Sequence, residues 1–214
     1  MSEDLHPLEE ITSFYLVRHG HTRATELGLL YSDIKIEITE KGEKQAQAAA
    51  NFVARSKPQK IICGQAVRVL QSCRPLEQET GLTAEVVAGF EEWQVGAWEG
   101  RTYLDIKKND SEQYHSWCAD PIENAPPGGE SIKQLSERIA ESISALISSQ
   151  PCSGKTIAMV THSGIIRSIL IYALGMPVQN FWRLSIPTGS VTRIDFSRNF
   201  ATVHFMAVNP ASLS

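Results

Sequence analysis

The sequence predicts an α/β fold: a three-layer sandwich with a largely parallel central sheet, helices on both faces, and a small inserted lid. Two observations predict it. Apolar runs of strand length alternate with segments of helical period along the 214 residues, the pattern of strands joined by crossover helices. The strand-length runs are apolar on nearly every residue, as expected where a sheet is covered on both sides. With no repeat, low-complexity tract or linker, the chain reads as one domain over 1–214, with an N-terminal tail at 1–12 and the lid at 101–129.

Taken in order, "SFYLVRH" (13–19) reads as a buried strand. "ITEKGEKQAQAAANFVARS" (38–56) reads as a helix with Thr39 at its N-cap and an alanine-rich body. "QKIICG" (59–64) is a second strand, followed by a helix that ends near Gly81. Residues 83–100 alternate apolar and polar and read as a strand. The polar stretch 101–129, ending in Pro126-Pro127-Gly128-Gly129, reads as the lid, with room for short helices of its own. An amphipathic helix follows at 130–150, with Ile132, Leu135, Ile139, Ile143 and Leu146 on one stripe and Ser131 as a cap. "KTIAMVTHSG" (155–164) is a third buried strand, 165–175 a helix, and "SVTRIDFS" with "FATVHFMAV" a closing hairpin around Arg198-Asn199.

Composition narrows the function. Charged residues make up 21% of the chain, net charge is −4, and no basic block stands out, which argues against a nucleic-acid or anionic-membrane partner. The acidic start MSEDLHPLEEITS has no apolar core of a signal peptide, and "SGIIRSILIYALGM" carries Arg167 and is too short to span a bilayer, so a cytoplasmic location is expected. Cys63, Cys73, Cys118 and Cys152 have neither C-x-x-C spacing nor ligand-like grouping with histidines, so they read as reduced packing residues rather than a zinc site. "SGKT" at 153–156 is not a P-loop: Ser149 stands where the first glycine belongs, and the stretch precedes a strand.

In a sheet of this kind ligands bind beyond the carboxyl ends of the strands. The first strand ends in Arg18-His19-Gly20-His21-Thr22, the second is followed by Arg68, and the third ends in Thr161-His162-Ser163-Gly164. Two guanidiniums form planar forks for phosphate oxygens, and helix starts near Gly20 and Gly164 offer backbone N–H groups to an anion. A neutral histidine can attack phosphorus and form a phosphohistidine; nearby arginines favour the neutral form by like-charge repulsion. A leaving alkoxide needs a proton, and "FEEWQVGAWEG" supplies Glu91, Glu92 and Glu99. Strand alternation would put Glu91 and Glu92 on opposite faces, leaving one to face the site. His21 belongs at the rim, and Thr22 suits either a loop cap or a phosphate contact.

The set "RHGHT", Arg68, "E…G.WEG", "PGGES" and "VTHSG", in this order over residues 14 to about 195, resembles the histidine phosphatase superfamily, also called phosphoglycerate mutase-like. The resemblance implies that His19 is the nucleophile, that Arg18, Arg68 and His162 form the phosphate pocket, and that no metal or other cofactor is needed. It makes Glu92 the proton donor, because the family acid lies four residues before the glycine that is Gly96 here. Thr22, Thr25 and Ser163 are the further expected substrate contacts. Thr25 stands where members often have Asn, "CGQAVR" replaces "SSxLxR", and "THSG" replaces "SHGG". The mutase stretch "RYGxLxGxNK" has no counterpart in "WEGRTYLDIKKNDSEQYHSW", which is similar to the phosphatase branch, including alpha-ribazole phosphatases. By position alone, Tyr114, His115 and Trp117 are expected on the leaving-group side.

The expected activity is hydrolysis of small phosphomonoesters through a phosphohistidine, by a monomer or homodimer. The sequence leaves two alternatives: a cofactor-dependent phosphoglycerate mutase, and a non-catalytic phospholigand-binding protein.

Overall fold

The run around Phe14 and Leu16 becomes β1 (Thr12–Arg18), a central strand of a six-stranded sheet. The computed structural model describes residues 11–149, 152–197 and 200–213. After β1 come a short α1 (Arg23–Leu27), α2 (Glu40–Ala54), β2 (Lys60–Cys63), α3 (Val67–Thr80) and β3 (Ala84–Val86). The lid holds α4 (Tyr103–Asn109) and α5 (Ser111–Ala119). Then follow α6 (Ile132–Ser148), β4 (Thr156–Thr161), α7 (Ser163–Leu174), β5 (Val191–Phe196) and β6 (Ala201–Val208).

The strand order is β3-β2-β4-β1-β5-β6. β3, β2, β4 and β1 pair in parallel, whereas β5 runs antiparallel to both β1 and β6. Two apolar layers cover the sheet. On one face Ala49, Ala50 and Val53 of α2 and Val69, Cys73 and Leu76 of α3 pack on Val17, Ile61 and Val160. On the other, Leu135, Ile139 and Ile143 of α6 and Ile165, Ile166 and Ile169 of α7 pack on Phe14, Leu16 and Met159. The three-layer α/β architecture follows.

Local signals explain the helix ends. Thr39 accepts the Gly42 N–H to start α2, and Ser131 and Gln134 form a reciprocal capping box at α6. Gly81 and Gly175 close α3 and α7 in the left-handed conformation that glycine adopts without a Cβ penalty.

Two expectations need correction, and one element was not anticipated. Residues 83–100 are not one strand: only Ala84–Val86 pairs with β2. Gly89 and Gly96 have positive φ, which breaks a ladder, and the remainder is coil ending in a 3₁₀ turn at Gly96–Trp98. The alternation is real burial without strand pairing, since Phe90, Trp93, Val95 and Trp98 are buried as the coil wraps over the sheet end. Thr12 belongs to β1 rather than to a tail. The short α1 is the third difference, since five residues are too few to show a helical period. Residues 1–10 and the hairpin turn at Arg198–Asn199 lie outside the described residues.

Candidate active site

The chain leaves β1 for α2 on one face and leaves neighbouring β4 for α7 on the other. The crevice between the ends of β1 and β4 is therefore the topological switch point, where open α/β sheets bind ligands. The backbone there is pinned: His19 N–H donates to Thr161 O at 2.9 Å, and Gly189 N–H reaches the carbonyls of Arg18 and His19 at 3.1 Å.

Gly20 is dictated by packing. A Cβ at Gly20 would lie 2.4 Å from Gly42 O, and one at Gly42 would lie 2.4 Å from His21 O, so the loop and the first turn of α2 touch backbone to backbone. Gly20 N–H donates to Ser72 Oγ at 3.0 Å, and His21 N–H to Gln45 Oε1 at 2.8 Å. The His21 ring turns to the Thr39 hydroxyl at 2.9 Å, in the supporting loop.

His19 is 1% exposed. Its Nδ1–H donates to Gly20 O at 2.8 Å; a carbonyl only accepts, so Nε2 carries the lone pair of the neutral ring. Burial, then the charges of Arg18 and Arg68, push its pKa well below 6.5, against a smaller opposing pull from the Gly20 carbonyl. His162, the residue before α7, lies with its ring centroid 5.4 Å from that of His19. Burial first, with Arg68, His19 and Arg18 adding to it, also pushes His162 well below 6.5, and its buried Nδ1 has no partner among the described residues.

Arg18 and Arg68 are held without a carboxylate. Arg18 Nη1 donates to Ile186 O and Arg68 Nη1 to Asp33 O. Arg68 is fully buried, sits 4.8 Å above the Tyr31 ring, and has no partner for Nε and Nη2 among the described residues; Arg18 Nε has none there either. Buried N–H groups with no acceptor are costly, so an incoming anion would be strongly favoured.

Glu92 reaches over the start of α7. A Cβ at Gly164 would fall 2.4 Å from Glu92 Oε1, so glycine is what admits the carboxylate there; Oε1 also accepts the Trp93 N–H at 2.9 Å. Glu91 and Glu92 do not take opposite faces, because the segment is coil, and both line one open pocket of about 620 Å³. Glu91 is engaged by Arg138 at 3.8 Å and by Gly89 N–H. Glu99 accepts from Ser32 N–H, Ser32 Oγ and Asp33 N–H, which closes the loop that carries Tyr31 and Asp33.

A second cleft, about 280 Å³, lies on the other side of Glu92 and is lined by Arg18, Thr25, Ser163 and Arg167 among apolar and aromatic residues. Thr22 is fully buried and caps α1 by accepting Thr25 N–H. The Thr25 hydroxyl bonds to Thr22 Oγ1 at 2.9 Å and Tyr31 Oη at 2.8 Å. Among the described residues, Tyr114, His115 and Trp117 line neither cleft; Trp117 instead packs in a cluster with Trp93, Trp98, Tyr103 and Trp182, and Tyr103 faces the second cleft.

Sequence reasoning missed Tyr31 and Arg167. Tyr31 sits in a polar loop with no periodicity to mark it. Arg167 did carry a signal: a charge inside an otherwise apolar helix, five residues after His162.

The chain is similar to known phosphatases along most of its length. The chain is 27% identical to the adenosylcobalamin/alpha-ribazole phosphatase of Salmonella typhimurium over 189 residues, 88% of this chain and 93% of that protein. It is 26% identical over 173 residues to the metal-independent phosphoserine phosphatase of Arabidopsis thaliana, covering 79% of this chain and 72% of that one. The crystal structure of the alpha-ribazole phosphatase from Shigella flexneri superposes with a TM-score of 0.84 at 26% identity, over 92% of this chain and 96% of that chain. The model of the histidine phosphatase superfamily (branch 1) matches residues 14–209, and this chain belongs to that superfamily.

Proposed function

We propose that the protein is a metal-independent phosphomonoesterase that works in two steps through a phosphohistidine at His19. The observation that carries this reading is the His19 Nδ1–H bond to Gly20 O, which leaves Nε2 as a buried, neutral nucleophile beside two arginines lacking carboxylate partners. Nε2 attacks phosphorus, the bond to the ester oxygen breaks, and Glu92 delivers its proton to that oxygen. The imidazolium formed keeps its Nδ1–H on the Gly20 carbonyl. Water then attacks phosphorus, Glu92 takes its proton, and cleavage of the P–N bond restores neutral His19. Arg18, Arg68, His162 and the N–H groups at Ser163 and Gly164 stabilise the transferring group throughout.

In this reading Thr22 and Thr25 act indirectly, holding Tyr31 under Arg68, and Ser163 contacts the phosphate. The substrate is a small phosphate ester, in keeping with the phosphatases named among the relatives. No described helix is long and apolar enough to cross a membrane. We place the enzyme in the cytoplasm as one domain over residues 1–214, a monomer or homodimer without nucleic-acid partners. The test is hydrolysis of p-nitrophenyl phosphate in EDTA. Activity is expected from the wild type and lost in His19→Ala; near wild-type turnover by that variant would overturn the reading.

A further inference from the structure

Six described arginines are not fully exposed: Arg18, Arg68, Arg101, Arg138, Arg167 and Arg193. Three of them pair with carboxylates: Arg101 with Asp105, Arg138 with Glu130 and Arg193 with Asp195. The other three all border the site, and each donates to a single backbone carbonyl: Arg18 to Ile186, Arg68 to Asp33 and Arg167 to Leu184. Two of these three are the phosphate arginines. The third has no role in the two-step reaction.

Arg167 lines the smaller cleft together with Arg18, Glu92 and Ser163. Its guanidinium lies 5.3 Å from the Phe181 ring and 5.5 Å from the Trp182 ring, so packing fixes its plane. Nε is bound to Leu184 O at 2.8 Å, which leaves the edge with the two terminal nitrogens for a ligand. A partly buried guanidinium with aromatic walls, with no carboxylate at ion-pair distance among the described residues and with Glu92 acting on it only from farther away, gains from an anion. One free guanidinium edge matches the two oxygens of one carboxylate, whereas the dianionic phosphoryl group requires the denser set at His19.

We propose that Arg167 is a specificity residue that binds a carboxylate on the leaving group, so that the preferred substrates are phosphate esters of small hydroxy acids. This rests on reading the rim as a phosphomonoesterase site.

Two probes of the same configuration differ only where Arg167 would read them: D-3-phosphoglycerate carries a carboxylate where sn-glycerol 1-phosphate carries a hydroxymethyl group. A charge-assisted bidentate contact is expected to give the wild type about a tenfold to hundredfold higher kcat/KM for 3-phosphoglycerate, read as phosphate release. Arg167→Gln should bring that ratio close to one, mainly through KM, and Arg167→Lys should restore part of it. A wild type that hydrolyses both probes with equal kcat/KM overturns the inference and leaves the phosphatase reading intact. So does an Arg167→Gln enzyme that loses the same factor on both, which would mean that Arg167 acts through Glu92. Because the wild-type ratio needs no variant, poor folding of Arg167→Gln does not spare the proposal. Failure of the wild type on both probes and on p-nitrophenyl phosphate would instead sink the phosphatase reading.

Discussion

His19 donates its Nδ1–H to the carbonyl of Gly20, the next residue in the chain, at 2.8 Å. One bond within the loop thus sets the tautomer of a ring that the fold buries completely. In the phosphate-free protein, 15N NMR of labelled histidine should show His19 as the neutral Nδ1–H tautomer, and it should stay neutral as pH falls through 6.5. Titration of its ring at or above 6.5 would contradict the displacement caused by burial, Arg18 and Arg68.

Stability should follow the same sign. His19 and His162 have folded-state pKa values well below 6.5, so below 6.5 the unfolded chain binds more protons than the native one. Unfolding free energy therefore falls as pH drops below 6.5, with a slope of up to about 1.4 kcal/mol per pH unit for each histidine. Urea melts from pH 7.5 to 5.5 would measure it, and His162→Asn should flatten the slope.

Glu92 and His19 should separate by leaving group. Glu92→Gln keeps the size of the side chain but cannot donate a proton, so kcat/KM for an alkyl phosphate, which covers only the steps up to departure of the leaving group, should fall about 10²–10⁴-fold. The loss of kcat/KM on p-nitrophenyl phosphate should be much smaller, because that leaving group departs without a proton; the base role of Glu92 toward water is common to both esters and appears in kcat. Equal losses on the two esters would remove Glu92 from the acid role. Glu99→Gln is a contrasting case, because it loosens the Ser32–Asp33 loop and should act mainly through KM.

Two glycines test why the motif loop needs its residues. Gly28 has φ +67 and open space where a side-chain methyl group would stand, so Gly28→Ala should cost about 1 kcal/mol from conformation alone. At Gly20 a Cβ meets the Gly42 backbone at 2.4 Å, and either the loop or α2 has to move. Gly20→Ala should be clearly more destabilising in urea and should lose activity beyond its stability loss. A Gly20→Ala enzyme as active and stable as Gly28→Ala would show that the contact is not needed.

Tyr31 should behave as a positioning residue. Its ring lies under Arg68, and its hydroxyl joins Thr22 and Thr25. Tyr31→Phe keeps the ring and should raise the Ki of inorganic phosphate by less than about threefold. Tyr31→Ala removes a cation–π contact of about 1–2 kcal/mol and should raise that Ki roughly tenfold. An equal effect of the two variants would assign the role to the hydroxyl instead.

Much of the fold was legible because burial on two faces and helix caps are written locally. The apolar run of β1, Thr39 before α2 and the Ser131–Gln134 box each lie within a few residues of the element they specify. The segment 83–100 misled because alternating burial has two physical sources, and coil wrapped over Trp93 and Trp98 produces the same pattern as a strand. The expected separation of Glu91 and Glu92 failed with it.

By itself the sequence determined which side chains arrive at the strand ends: Arg18 and His19 after β1, His162 after β4, and Arg68 in the first turn of α3. Register along a strand or helix depends only on local periodicity, so those positions could be read directly. The tertiary structure alone decided which proton His19 carries into a buried pocket, which arginines lack a carboxylate, and that Tyr31 and Arg167 belong to the rim. Those outcomes depend on contacts between residues far apart in the chain, such as Arg68 with Asp33 and Glu92 with Gly164, and on the desolvation that closing the sheet and its two helical layers imposes on them.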